Sequence, residues 1–286
     1  MNVIAVRLPR AGLRLRGRPV PTTMLVGGAL ILLWVLVAAV GPLIVTADPT
    51  AIHLESTLQP PSWAHPFGTD NLGRDIALRV MNGARVDLEI GLFSVTPALV
   101  IGSVLGALAG FHGRLVDTLL GRLVDIVVAF PFFVLVIAIV AALGPGLRNM
   151  YVAVALVGWV SYFRLVRAEI VVAKQLDYTS AARVLGFTDR RILLKHLFPN
   201  VIVQSLIYAT SDFVLDILLG SSLGFLGLGA QPPTPEWGVM IAEGRDFLTI
   251  AWWPSAVPGL AIVALAIGFS LFGDGLADYM RPEVKK

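Results

Sequence analysis

The sequence predicts an all-α integral membrane protein with six transmembrane helices. Three observations carry that expectation. Of its 286 residues, 56% are hydrophobic and only 14% are charged, where a soluble chain carries about 25% charge. Five runs free of Asp, Glu, Lys and Arg (19–47, 90–113, 126–147, 217–235 and 247–273) reach the length a bilayer crossing needs. Lys and Arg then fall overwhelmingly on one side of the implied spans. A soluble globule of this size cannot hide so much apolar surface, which excludes soluble enzymes, disordered chains and fibres. With no Cys, disulfides and thiolate metal sites are excluded as well.

In chain order, residues 1–21 form a basic leader carrying Arg7, Arg10, Arg14, Arg16 and Arg18, and the first span covers 22–45. Val45-Thr46-Ala47 resembles a cleavage tripeptide, but the apolar stretch exceeds the roughly 7–15 residues of a signal core, so it reads as a span. Residues 46–87 form a long external loop, and 88–280 a five-helix domain with spans near 88–110, 121–142, 150–168, 201–223 and 252–273. Asp212 and Asp216 interrupt the fifth of these spans. One long, partly polar helix is the simpler reading there, because splitting it would move the C-terminal basic residues outside. With both termini inside, only Arg74, Arg79, Arg85, Arg148 and Arg245 of the 22 Lys and Arg lie outside.

Three connecting segments are patterned rather than merely long. The external loop holds His65-Pro66-Phe67-Gly68-Thr69-Asp70, followed by Gly73-Arg74-Asp75. Gly68 and Gly73 permit tight turns, and Asp70 and Asp75 can cap the helices that follow. His65, Asp70 and Asp75 also have metal-ligand chemistry, yet capping and local ion pairing with Arg74 and Arg79 is the simpler reading. The inner loop 169–200 reads as a helix, a break at Gly186, a cap at Thr188 or Asp189, and a second amphipathic helix. Small residues Ala181 and Ala182 let another surface approach closely, as in a docking knob for a soluble partner. An interfacial helix resting on the bilayer fits the same periodicity. The third segment, 224–251, is too rich in Gly and Pro to be helical, and non-helical backbone at that depth suggests a pore entrance.

Gly102, Gly106 and Gly110 recur every fourth residue and predict a close-packing stripe. Asp212 and Asp216 lie one turn apart inside a span. They either line a hydrophilic pathway and meet a cationic substrate group, or pair with an arginine of a neighbouring chain. No Gly-x-x-x-x-Gly-Lys-Ser/Thr phosphate loop and no His-Glu-x-x-His occur, so neither ATP hydrolysis by that route nor zinc hydrolysis has support.

The pattern Ala181-Ala182-x-x-x-Gly186, with Ile192 and Leu197-Phe198-Pro199, resembles the EAA loop of ABC-importer permeases. The 65–75 motif and Phe225-Leu226-Gly227-Leu228-Gly229-x-Gln231-Pro232-Pro233-x-Pro235-x-Trp237-Gly238 are similar to those of the C-type permease subunit of dipeptide, oligopeptide and nickel importers. Ser180 stands where that family usually has Glu, and Gly220 where it often has an acid. The resemblance implies a type I ABC-importer permease fold and a transport subunit for peptides rather than an enzyme. Nickel or another small solute is the alternative cargo, and a passive channel or an intramembrane enzyme the remoter ones. It further implies a second homologous permease, two cytoplasmic ATPase subunits that hold ATP and Mg, an external substrate-binding protein, and surrounding membrane lipid. It implies no nucleic acid, and no cofactor or metal in this chain. ATPase docking falls to Ser180, Ala181, Ala182, Gly186 and Ile192; the external motif is His65, Gly68, Thr69, Asp70, Gly73, Arg74 and Asp75; Asp212 and Asp216 stay candidates for lining the pathway. The location implied is the bacterial cytoplasmic membrane, crossed several times.

Overall fold

A computed structural model of the chain describes residues 19–44 and 47–280. The basic leader up to Arg18, the Val45-Thr46 part of the tripeptide, and Arg281, Lys285 and Lys286 lie outside the described residues. Within them the regular secondary structure is helical, apart from one antiparallel bridge between Thr69 and Asp75. The first three helices are α1 (Thr22–Ile44), α2 (Ile76–His112) and α3 (Arg114–Val128). After α4 (Phe132–Leu143) and α5 (Leu147–Ala173) come two short helices, α6 (Asp177–Val184) and α7 (Asp189–Arg191). The chain closes with α8 (Phe198–Phe225), α9 (Trp237–Gly244) and α10 (Trp253–Met280). Among the described residues five helices are long and apolar enough to cross a membrane, and six spans result if the bent α3–α4 pair is one.

Glycines decide which helices sit closest. Gly102, Gly106 and Gly110 of α2 lie against the α5 backbone, where a Cβ on Gly106 would stand 2.6 Å from the Phe163 carbonyl oxygen. The stripe therefore does the packing its spacing predicts. Helices α1 and α10 meet in the same way: a Cβ on Gly27 would stand 2.6 Å from the Gly268 carbonyl oxygen. In lipid there is no hydrophobic drive between helices, so close backbone approach and dispersion must supply the attachment.

The structure corrects the third expected span. A straight helix over 121–142 does not form, because α3 and α4 meet at 85°. Pro131 has no N–H, and its ring excludes a helical continuation from Val127. Asp117, Arg122 and Asp125 make α3 amphipathic, and α4 alone is about 18 Å long, short of the ~30 Å hydrocarbon core. Helix α2 starts at Ile76, well before the expected 88, so the last part of the presumed loop 46–87 is helical. Helix α8 runs unbroken through Asp212 and Asp216, as one partly polar helix should. The Gly-Pro segment 224–251 hides α9, which the sequence reading missed. The 47–75 loop and α9 lie at one end, here the motif end; α6 and α7 lie at the other, the hairpin end.

A leucine at Gly106 should force α2 off α5 and cost about 1–3 kcal/mol, the usual range for overpacking. Gly121 of α3 has nothing within 4 Å of an added Cβ, so Gly121→Ala should be neutral or slightly stabilising. Thermal unfolding of the detergent-solubilised variants, compared side by side, checks both.

Candidate functional site

At the motif end, local chemistry folds the 47–75 loop onto the bundle. Asp75 caps α2 by accepting from the Leu78 N–H at 3.0 Å, and its other oxygen meets His65 Nδ1 at 2.7 Å. Gly73 turns with φ +72° directly against the His53 carbonyl, where a side chain has no room. The Thr69 hydroxyl donates to the Ser56 carbonyl, and Trp253 Nε1 donates to the Thr69 carbonyl at 3.0 Å, tying the loop to α10. Asp70 accepts from the Leu72 and Arg74 backbone N–H groups and from Arg74 Nε at 2.6 Å.

Arg74 and Arg79 then both donate to one oxygen of Glu243 on α9, at 2.8 and 2.9 Å, while Asp70 stands 3.6 Å from Arg79 Nε. Two cations and two anions thus close a clamp between the loop, α2 and α9. The capping and ion-pair reading of the motif is what the side chains do. Among the described residues no group of three or more His, Asp and Glu comes together as a metal site.

Deeper at the same end is a cluster that sequence reading missed. Asp87 of α2 accepts from the Trp237 N–H at 3.2 Å and from the Ser221 hydroxyl at 3.4 Å. Glu236 caps α9, accepting from Gly238 and Val239 at 2.7 and 2.8 Å, and burial pushes its carboxyl up from the usual range. The indole of Trp237 donates to the Val80 carbonyl and packs edge-on against Trp34. Glycines make the room: a Cβ on Gly83 would lie 2.9 Å from Trp237 Nε1, and one on Gly224 would lie 3.1 Å from Glu236 Cδ. The signal was in the string Pro235-Glu236-Trp237-Gly238, an acid placed to cap a short helix.

Inside the membrane layer, Tyr162 donates to Asp212 Oδ2 at 2.8 Å, and the Tyr208 ring packs edge-on against Tyr162. Asp216, one turn on, is buried, and among the described residues no cation forms an ion pair with either acid. At Gly220 the Ile90 side chain closes over the helix. Ser222 falls in a Gly-x-Ser-x-Gly string, but it lies mid-helix and donates to its own Leu218 carbonyl. That is no nucleophile elbow, which needs a strained strand-to-helix turn.

At the hairpin end, α6 and α7 fold back at Gly186, whose φ of +77° suits glycine. Among the described residues nothing lies within 4 Å of a Cβ there, so the turn, not crowding, sets the requirement. Thr188 caps α7. A π turn over Ile192–Leu197, with the Phe198 N–H reaching back to the Leu193 carbonyl, carries the chain straight into α8. Ala182 and Ile192 face inward and pack with Phe111, Ile170, Leu193, Leu197 and Val201. Ser180, Ala181 and Gly186 face outward, joined by Val184 (89% exposed) and Leu185 (71%), an apolar pair outside the anticipated docking set. Lys174 donates to the Phe111 carbonyl, and Arg167 grips Asp117 of α3 with two hydrogen bonds.

Comparison with known proteins gives a consistent picture. The family described as binding-protein-dependent transport system inner membrane component matches residues 102–286. A dipeptide transport system permease protein of Alkalihalophilus pseudofirmus is 41% identical, over 91% of this chain and 86% of its own length. A di/tripeptide transport system permease protein of Pseudomonas aeruginosa is 42% identical, over 91% and 88%. A glutathione transport system permease protein of Pectobacterium atrosepticum is 42% identical, over 79% and 75%. Among solved structures, a chain of an inward-facing methionine ABC transporter superposes with a TM-score of 0.57 at 18% identity, covering 71% of this chain and 97% of that one. At that identity the superposition speaks to the fold alone.

Replacing Glu243 by Gln should leave two buried arginines sharing Asp70. The expected loss lies toward the lower end of the ~3–5 kcal/mol typical of a broken buried pair, since Glu243 is partly exposed. The exposed Arg85–Glu89 pair is the comparison, where Arg85→Ala should cost under about 1 kcal/mol. Thermal unfolding and limited proteolysis of the 47–75 loop measure both effects.

Proposed function

The chain belongs to the family of binding-protein-dependent transport system inner membrane components, and from that premise we propose that it is the peptide-conducting permease of an ATP-driven importer, working beside a second homologous permease. It is a permease subunit and not an enzyme, and systems of this family work with ATPase and substrate-binding partners. Peptides are the cargo named for most of the similar permeases, which supports the same cargo here.

The observation that carries the mechanism is the hairpin core. Phe111 of α2, Ile170 of α5, Ala182 of α6, Ile192, Leu193 and Leu197 of the π turn, and Val201 of α8 form one buried cluster. A force on the hairpin is therefore delivered to three membrane helices at once. In our reading two cytoplasmic ATPases, holding ATP and Mg2+, grip the hairpin through Ser180, Ala181, Val184 and Leu185. Ala182 and Ile192 act beneath that surface, and Gly186 shapes the turn. Closure of the ATPases then rocks the bundle between two access states, which densely packed helices permit as discrete arrangements. An outer binding protein delivers peptide at the motif end. Asp212, half-buried and held by Tyr162, lines the route and meets the positive amino terminus of a passing peptide, with buried Asp216 one turn behind it. The membrane is the bacterial cytoplasmic one, with both termini and the hairpin inside, as the Lys and Arg asymmetry favours.

Leu185→Glu alters an exposed position and leaves the bundle folded. It should strip ATPase subunits from the purified complex and abolish uptake of a labelled dipeptide; a full ATPase complement with normal uptake would overturn the docking role. Sidedness has its own check in this Cys-free chain. A cysteine at fully exposed Trp63 should react with an impermeant thiol reagent in intact cells, and one at Val184 only after permeabilisation. The reverse pattern would invert the topology.

A further inference from the structure

The cluster around Asp87 and Glu236 has no part in the transport reading. Both side chains are fully buried, and Asp87 accepts from the N–H of Trp237, the residue directly after Glu236, so the two carboxyl groups lie side by side. A carboxylate can only accept, so a carboxyl-to-carboxyl hydrogen bond needs a proton on one of the two. Glu236 already accepts two short backbone N–H bonds, which favour its ionised form. Asp87 has longer contacts, from the Trp237 N–H at 3.2 Å and the Ser221 hydroxyl at 3.4 Å. That difference makes Asp87 the donor and Glu236 the acceptor.

Every element packed on the pair leaves it without a cation. Helix α8 offers the Ser221 hydroxyl, with Asp216 more than a turn away. On α9 the other acid is Glu243, spent on Arg74 and Arg79. Helix α2 supplies Glu89, paired with Arg85, and α5 supplies Tyr151, whose hydroxyl is buried. Neither α1 nor the first 21 residues of α10 contain an ionisable side chain, and α1 contributes the Trp34 ring against Trp237. Two negative charges side by side here, with no counter-ion among the described residues, are not tolerated together.

We propose that Asp87 and Glu236 form a binding site for a single proton, and that this proton fastens the 226–244 segment to α2. With the proton bound, the Asp87 O–H donates to the Glu236 carboxylate, and the cap of α9, Trp237 and the Gly-Pro turn stay seated. Loss of the proton leaves two facing carboxylates, which repel and lift the α9 cap. Attachment is therefore present at low pH and is lost as pH rises through the range where the pair gives up its proton. The site is independent of which solute the permease carries.

The test uses the full chain in its purified assembly, in lipid nanodiscs. Infrared difference spectra should show a protonated-carboxyl C=O component that disappears in both Asp87→Asn and Glu236→Gln. Deuterium uptake over 236–244, corrected for intrinsic exchange, should rise in the native chain as pH is raised. Asp87→Asn keeps a donor that cannot titrate, so its uptake should stay low throughout. If the C=O component survives both substitutions, or if native chain and Asp87→Asn show the same pH response, the proton site is wrong. Should Asp87→Asn fail to assemble, loss or persistence of the component in Glu236→Gln decides the matter alone.

Discussion

Arg79 is 1% exposed, and a guanidinium cannot shed its proton to escape burial. Its charge must be matched in place, and that requirement organises the motif end. Asp70 is one match, and it reaches Arg79 only because Gly68 and Gly73 fold the 47–75 loop back over the start of α2. Glu243 is the other, and it arrives only if α9 is docked. Docking of α9 in turn needs Trp237 seated on α2 and Glu236 capping the helix, both in space that Gly83, Gly224 and Gly238 leave open. One buried charge thus dictates the path of two segments far apart in sequence.

Helix α2 joins that end to the opposite one. At 37 residues it is about 55 Å long, with Asp75, Arg79 and Asp87 near its start and Phe111 in the hairpin core at its finish. Helix α8 makes the same journey from Val201 to Ser221. Because α2 is keyed to α5 through its glycine stripe, the three helices are held as one body from end to end. The two ends differ in how they are secured. The motif end is locked by buried charges, whereas Arg167–Asp117 at the hairpin end is partly exposed and correspondingly weaker. Movement driven from the hairpin end meets its main resistance at the other.

Much of this was legible in the sequence, for reasons that can be named residue by residue. Charge-free runs located the membrane helices, because lipid tolerates few ions. The Gly102-Gly106-Gly110 period announced a packed face, and Gly186 with Thr188 announced the hairpin turn and its cap. The 65–75 motif was read as caps and ion pairs from its own residues, but Glu243 was invisible as a partner since it lies about 165 residues away. Asp87 carried no signal for the same reason, since its partners Ser221 and Trp237 lie 134 and 150 residues away. The straight third span failed because hydropathy averages across Pro131, whereas the backbone cannot. Helix α9 was missed because eight residues give a weak periodic signal amid Gly and Pro.

The bend at Pro131 and the density of glycine around α9 follow from a single constraint. Backbone groups in lipid must be paired, so a membrane chain leaves regular helix only where protein encloses it. The Gly-Pro turn meets this by closing on itself: the N–H groups of Leu228 and Gly229 both reach the Leu223 carbonyl, and the Gln231 amide donates to the Gly227 and Gly229 carbonyls. The Leu228 carbonyl then accepts from the Gly146 N–H, which ties the turn to the start of α5. At the bend, α3 escapes the constraint differently, presenting Arg114, Arg122 and Asp125 on an amphipathic helix while only α4 remains uniformly apolar. Irregular backbone therefore appears in two forms, one sealed by its own hydrogen bonds and one moved out toward a polar boundary. The sealed form sits at the motif end, where Arg74, Arg79 and Glu243 hold its neighbours still.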